Sequence, residues 1–287
     1  MSLSKKDCFI RYYTKERVQE LIGLLGRNRE MRFAGLSGLW CVALKWNDMK
    51  TFRINLKRFG LLHNEFIIYH SLMRLNMPLL SLDFLKRKEE VKKFNENFMN
   101  YARSYDLGID FDAKDYDTDT ALNDLRDLCG FFDKNFRGIK YNVKLSGSGF
   151  HFEVNNPFRV AGRKDRNVSV ERQVAFFEDF VGMLRDMLLL KTVDLRIYDK
   201  RRIWKMAFSI DTKSYNVALP LDRNRLDRFD IREYAVGNVV DRIENDRSFF
   251  DKGVFRDYVA NVNAVHDYDL MDVYEELIGK KWRKAGK

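Results

Sequence analysis

The chain has 287 residues, 45% of them hydrophobic and 33% charged, enough to bury a substantial core and too apolar for a disordered chain. Its 52 basic against 42 acidic residues leave a formal charge of +10, which biases the surface towards an anionic partner such as nucleic acid or nucleotide. Cys8, Cys41 and Cys129 are scattered and odd in number, which argues against a disulfide framework, and with His63, His70, His151 and His266 they show no zinc-ligand spacing. No apolar run approaches ~18 residues and no basic-then-apolar leader opens the chain, so a cytoplasmic protein without a membrane span is expected.

Elements alternate along the chain, interrupted by only three prolines. Thr14 is placed to cap a helix carrying Val18, Leu21, Ile22 and Leu25, with Gly26 at its end. A second helix is expected from about Phe84 to Tyr105, with Val91, Phe94, Phe98 and Tyr101 on one face and the Lys86–Lys93 charge run solvated on the other. Leu107-Gly-Ile-Asp-Phe-Asp112 alternates as a strand and is followed by a capped helix bearing Leu122, Leu125, Leu128 and Phe132. Strands from Tyr141 to Leu145 and from Phe150 to Val154 flank the turn Ser146-Gly-Ser-Gly149. Ser169 is placed to cap a long amphipathic helix through Leu188. Val193 to Ile197, Arg202 to Ile210 and Tyr215 to Leu219 read as further strands. Strands interleaved with helices predict an α+β fold with a central mixed or antiparallel sheet flanked by helices, and no linker forces a domain boundary.

Chemistry is carried by the polar faces of those strands. Alternation puts Asp110 and Asp112 on one face and Leu107, Ile109 and Phe111 on the other, so two carboxylates ~7 Å apart form half of a divalent-metal site. Alone, such a pair more often opens a polar turn. His151 points away from Phe150 and Phe152 and can share the aspartate face, although a lone strand histidine is more often structural. The turn before it offers Ser146, Ser148 and glycine amides to phosphate oxygens. Asp194 is a third acid in an apolar strand, and Lys205 and Ser209 share a face opposite Trp204, Met206 and Phe208. An EF-hand reading of Asp110 onwards fails, because Lys114, Asp115 and Ala121 stand at required ligand and glycine positions. No Gly-x₄-Gly-Lys-Ser/Thr occurs, which removes a P-loop. Lys280-Lys-Trp-Arg-Lys284 could touch a template backbone but reads more simply as a solvated helix end.

In order, these segments resemble the catalytic small subunit of archaeal and eukaryotic DNA primases, in the archaeo-eukaryotic primase superfamily. The resemblance rests on Tyr12-Tyr13, Arg29-Glu-Met-Arg-Phe33, Gly108-Ile-Asp-Phe-Asp112, Ser146-Gly-Ser-Gly-Phe-His151, Val193-Asp194, and Arg202, Lys205, Ser209 and Lys213 with Val217-Ala-Leu-Pro-Leu221. It spans roughly residues 10 to 235. It implies one catalytic domain over 1–287 with its metal and nucleotide core at about 100–235, two Mg²⁺ or Mn²⁺ ions on Asp110, Asp112 and Asp194, and nucleotide binding by Ser146, Ser148, His151, Arg202, Lys205, Ser209 and Lys213. The implied activity is DNA-dependent synthesis of short RNA or mixed primers from NTPs or dNTPs on single-stranded DNA, in a nucleoid-associated protein working with a large subunit. Departures are a glycine-histidine turn one residue short, Ser148 in place of a common arginine, Ala207 for proline, Asp211 for histidine, and no ligands for the zinc knob, so no zinc is expected. Two alternatives share the same residues: a stand-alone primase-polymerase of a mobile element or repair system using dNTPs, and a nucleic-acid-binding subunit that has lost catalysis.

Overall fold

Two antiparallel sheets follow from the alternating segments, and a single residue carries the chain from one to the other. The computed structural model describes residues 4–26, 29–35, 40–43, 65–75, 92, 96–162 and 168–285, with side chains left aside at 40–43 and 279–285. The first sheet runs in the order β2 (Trp40–Ala43), β1 (Arg29–Gly35), β3 (Phe66–Leu75), β4 (Ala102–Tyr105), and β8 (Ile203–Lys205) also pairs with β3. Met73 to Leu75 face β4 whereas Tyr69 to Ser71 face β8, so these two short strands share one edge of β3 end to end. The second sheet is β5 (Leu107–Phe111), β7 (Phe150–Val154), β6 (Asn142–Leu145).

Period-two burial divides the second sheet as the alternation predicts. Ile109 pairs with Phe152 and Phe152 with Val143, and all three are buried with α3 (Thr118–Asn135) and α4 (Val170–Leu188) in one apolar cluster. The Phe152 ring lies 4.6 Å from those of Phe132 and Tyr141. Asp117 accepts the Thr120 N–H at 2.6 Å and Ser169 that of Arg172 at 3.4 Å, the capping bonds that start these helices. The opposite face carries Gly108, Glu153 and Asn142 in one cross-strand row and Asp110, His151 and Lys144 in the next. A second cluster joins Met31, Phe33, Phe66 and Ile68 of the first sheet to α1 (Lys5–Tyr13), α2 (Glu16–Leu25), α5 (Val236–Asn245) and α6 (Gly253–Asn261). The last described helix, α7 (Leu270–Ala285), seats Leu270 in the first cluster. Among the described residues no helix is long and apolar enough to cross a membrane.

Several expected elements differ. Thr14 closes α1, its hydroxyl donating backwards to Arg11 O at 2.9 Å, so α2 starts at Lys15 without a side-chain cap. The first half of the helix expected from Phe84 to Tyr105 lies outside the described residues apart from Lys92, and its described end is a 3-10 turn, Phe98–Tyr101, running into β4. The Lys86–Lys93 run also lies outside them except for Lys92, which pairs with Glu96 at 3.9 Å. Val193 forms only a bridge to Phe111, because the Asp194 carboxylate accepts the Arg196 N–H and turns the chain into a 3-10 segment, Leu195–Ile197. The strand expected from Arg202 to Ile210 ends at Lys205, where Ser209 N and Oγ both donate to Met206 O and Phe208 adopts φ 66°. Tyr215 to Leu219 contributes bridges rather than a strand, Tyr215 itself standing at φ 59°.

Asp106 is the step between β4 and β5. Its buried carboxylate pairs with Arg29, accepts Arg74 Nε at 3.0 Å and accepts the Asn156 N–H at 2.8 Å, while Asn155 Oδ1 receives Arg29 at 3.0 Å and Arg74 at 3.2 Å. Burial raises this carboxyl, but the two arginines outweigh it and hold it below the usual aspartate range. A depressed folded-state value contributes stability that is present above that range and is lost as pH falls through the depressed value. Asp106→Asn is therefore expected to cost about 3 kcal/mol or more at neutral pH, since it strands two buried cations. In urea titrations its midpoint should also fall less steeply than that of the wild type below about pH 4.

Candidate active site

The edges of the second sheet assemble the site. On the β5 side, Asp112 N–H donates to Thr192 O at 2.9 Å and Asp194 N–H to Asp110 O at 3.0 Å, which sets Asp194 directly across from Asp110. On the β6 side, Leu145 N–H donates to Leu219 O at 3.0 Å and Leu221 N–H to Val143 O at 2.9 Å. Thr192 is itself held by Asp124 of α3, whose Oδ2 accepts the Thr192 N–H at 2.7 Å and its hydroxyl at 2.8 Å.

The three acids meet different environments. Asp110 is raised to about 7, by burial first and then by Asp112 and Asp194, against the pull of Arg202 and Lys205. Burial also raises Asp194, but Arg196 outweighs it with a two-pronged contact, Nε to Oδ1 at 2.9 Å and Nη2 to Oδ2 at 3.2 Å, and holds it below the usual range. Asp112 accepts the Lys114 N–H at 2.9 Å. Among the described residues no three such side chains converge as a metal shell would, because these two carboxylates are turned to local donors. Their chemistry nonetheless suits a hard divalent cation: three neighbouring carboxylates, one of them raised first by burial and then by like-charge repulsion, both of which a bound cation would offset.

His151 is buried, with Nε2 3.5 Å from Asp110 Oδ1. Burial, then Lys144 and Lys205, hold its imidazole well below the usual range and hence neutral. Lys205 Nζ donates to Ser146 O and lies 2.6 Å from Asp211 Oδ1, while Asp211 also accepts the Ser214 N–H at 2.9 Å and hydroxyl at 2.8 Å. Asp211 therefore occupies the lysine that the phosphate role requires, and it lies under Gly147, where φ is 129° and a Cβ would come within 2.8 Å of its carboxyl carbon. Ser146 is half-buried and Ser148 exposed on the turn, whose Ser148 O accepts Thr118 Oγ1 at 3.3 Å. Arg202 is half-buried, reaches Asp199 at 4.0 Å, and has a buried Nε without a hydrogen-bond partner among the described residues. Lys213 is exposed. Ser209 is fully buried and spends its hydroxyl on Met206 O at 2.7 Å, so it is not presented alongside Lys205 as the alternation predicted.

The motif residues further out are structural anchors. Tyr12 Oη donates to Phe208 O at 3.0 Å and Tyr13 Oη accepts the Ile210 N–H at 2.9 Å, which fixes the segment after Lys205. Glu30 is buried and pairs with Arg32 at 2.8 Å and Arg201 at 3.2 Å. Residues outside every motif complete the floor. Lys144, fully buried, pairs with Glu153, which also accepts Trp204 Nε1 and Tyr258 Oη. Their sequence signal is the alternation Asn142-Val-Lys-Leu, which puts Lys144 on the His151 face.

No protein-family model and no curated protein matches the sequence. The fold does match a solved structure, the polymerase domain from Mycobacterium tuberculosis ligase D in complex with DNA, at a TM-score of 0.55 and 13% identity, over 86% of this chain and 91% of that one. The α+β class read from the sequence agrees with that match, with two antiparallel sheets flanked by helices where one central mixed or antiparallel sheet was expected.

The turn depends on a close approach: a Cβ at Gly149 would lie 2.2 Å from Phe111 O and 3.3 Å from Ala113 N. Gly149→Ala is expected to lower the melting temperature and push the turn off the end of β5. Gly130→Ala, in open space within α3, should instead stabilise by up to about 1 kcal/mol in the same thermal unfolding measurement.

Proposed function

We propose that this chain is a nucleotidyltransferase of the primase-polymerase kind, belonging to the archaeo-eukaryotic primase superfamily and extending or initiating strands on a single-stranded DNA template. The observation that carries the reading is the register that sets Asp194 across from Asp110, beside His151, Arg202 and Lys205, in a fold shared with a DNA-bound polymerase domain. Asp110, Asp112 and Asp194 would hold Mg²⁺ or Mn²⁺, which when bound activates an attacking 3′-hydroxyl and neutralises a leaving pyrophosphate. The chain's own part begins with Arg202 and Lys205 drawing the triphosphate in, and Lys205 exchanges Asp211 for phosphate oxygens. Neutral His151 can donate one hydrogen bond without adding charge, and the Ser146–Gly149 turn offers amides and hydroxyls at the same rim. Lys213, exposed beyond the turn, would meet the outer phosphates.

Within this reading, a primase small subunit working with a large subunit in the nucleoid is the narrower form, and a stand-alone primase-polymerase using dNTPs is the broader one. The DNA-bound polymerase neighbour favours the broader form. A catalytically lapsed binding subunit is favoured by two ion pairs, the engagement of Asp194 by Arg196 and of Lys205 by Asp211.

Incorporation of labelled ribo- and deoxynucleotides on a single-stranded template, with and without a primer and in Mn²⁺ or Mg²⁺, separates these. Wild type should give metal-dependent product, and Asp110→Ala/Asp112→Ala or Asp194→Asn should lose ~10²-fold or more. Product surviving in the acid variants would overturn the site assignment. Template binding without product from wild type in either metal would favour the lapsed subunit.

A further inference from the structure

A histidine that contacts a ligand is ordinarily oriented by a hydrogen bond to its second ring nitrogen. His151 lacks that device: Nδ1 is buried with no hydrogen-bond partner among the described residues, and Nε2 stands 3.5 Å from Asp110 Oδ1. What the imidazole does have is a plate. The Trp204 ring stacks on it, centroids 3.8 Å apart and planes 30° apart, and Trp204 is 2% exposed between the two sheets.

The plate is itself fixed from three directions. Its indole N–H donates to Glu153, a buried carboxylate that also pairs with Lys144 and accepts Tyr258 Oη at 2.7 Å. The Lys144 ammonium lies 5.5 Å from the ring centroid. Gly108 gives the ring room, since a Cβ there would stand 3.2 Å from Trp204 Cη2 and Cζ2. Pairing of Trp204 with His70 in β3 sets the backbone beneath it. A buried indole N–H needs an acceptor whatever the residue does, so the bond to Glu153 fixes the ring rather than assigning its role; the role follows from the stacking, the contact that sets the tilt of an imidazole without hydrogen-bonded anchors.

We propose that Trp204, tied to Glu153 and seated on Gly108, is a positioning residue that sets the orientation of the His151 imidazole towards the nucleotide site. The assignment rests on the role given to His151 under the proposed function, and its test has one arm that does not.

In the first arm, the His151 ring resonances, identified by their loss in His151→Gln, are followed by NMR in the nucleotide-free protein. Trp204→Leu should move them strongly through loss of the ring current and of the fixed tilt. Trp204→Phe, which keeps a ring but cannot donate to Glu153, should move them less. Unshifted resonances in both would overturn the proposal whatever the protein's activity. In the second arm, the KM for the incoming nucleotide is measured for Trp204→Leu, His151→Ala and the double variant. Each single change should raise KM roughly tenfold, and the double variant should be no worse than His151→Ala alone, as for two residues acting through one contact. Losses that multiply would show Trp204 acting on stability only. If Trp204→Leu does not fold, Trp204→Phe serves in the same cycle with a smaller effect and the same non-additivity. A wild type that incorporates nothing overturns the proposed function and leaves the NMR arm to decide the positioning claim.

Discussion

A carboxylate with 2% side-chain exposure stands at the one-residue step between the two sheets, between two buried arginines. Taking three charges out of water costs several kcal/mol per ion before pairing, so such a cluster is retained only where all its members are satisfied. Here they are: Asp106 takes both arginines and a backbone N–H, and Asn155 Oδ1, Ser71 O and Val262 O accept the other guanidinium hydrogen bonds. The donors come from β1, from β3 and from the residue after Asn155 at the end of β7, so the ion cluster ties both sheets to one point. With the sheets fixed there, Leu72 and Trp204 of the first come to rest against Gly108 of the second, and the polar face of β5, β7 and β6 is enclosed around Lys144, His151 and Glu153.

At the β5 edge of that face, one register produces two unlike acids. Asp110 and Asp194 are cross-strand neighbours, yet burial and like charge push the first up to about 7 while Arg196 holds the second down. The difference is in accessible donors: Asp110 has the poor contact of a neutral histidine at 3.5 Å, whereas Asp194 caps its own turn and meets an exposed guanidinium. Acids whose environments separate their proton affinities in this way can play different parts in one reaction. The same local unit, an aspartate accepting from the residue two ahead and from its arginine side chain, recurs at Asp230 and Arg232, where it caps an exposed turn. The turn at Asp194 is thus a property of the aspartate, which accepts the N–H two residues on as Asp112, Asp222 and Asp246 also do, and Arg196 adds the side-chain pairing.

Much of this was legible from residue order. The alternation in Leu107–Phe111 assigned the Asp110 face correctly because a strand with one buried side tolerates no slip of register. Helix ends at Gly26 and Ser169 were readable from capping chemistry, and a capped start was expected for the helix bearing Leu122, where the structure supplies Asp117. The stretch from Val193 to Leu219 was not, because its hydrophobic residues are shared between two clusters: Trp204 belongs to the core of the second sheet, and Met206 and Phe208 belong to the other. Period-two reading assumes one core on one side, and here the chain crosses from one core to the other within four residues. Thr14 misled for a related reason, since a hydroxyl between two helices can serve either, and the end of α1 took it. Lys144, Glu153 and Trp204 were invisible as a set because no spacing links them; only the pairing of β6 with β7 and the approach of β8 bring them together.

The hydroxyl bond between Tyr13 and the Ile210 N–H joins residues 197 positions apart. A ribosome adding ~5–20 residues per second needs on the order of 10 to 40 seconds to make the second partner after the first has emerged. Through that interval the aromatic face of α1, with Phe9, Tyr12 and Tyr13, has no permanent place, because its seat includes Met206, Phe208 and Val217. The seat of α1 is thus completed by a later part of the chain, and until that part is made its aromatic face has to be shielded by other means.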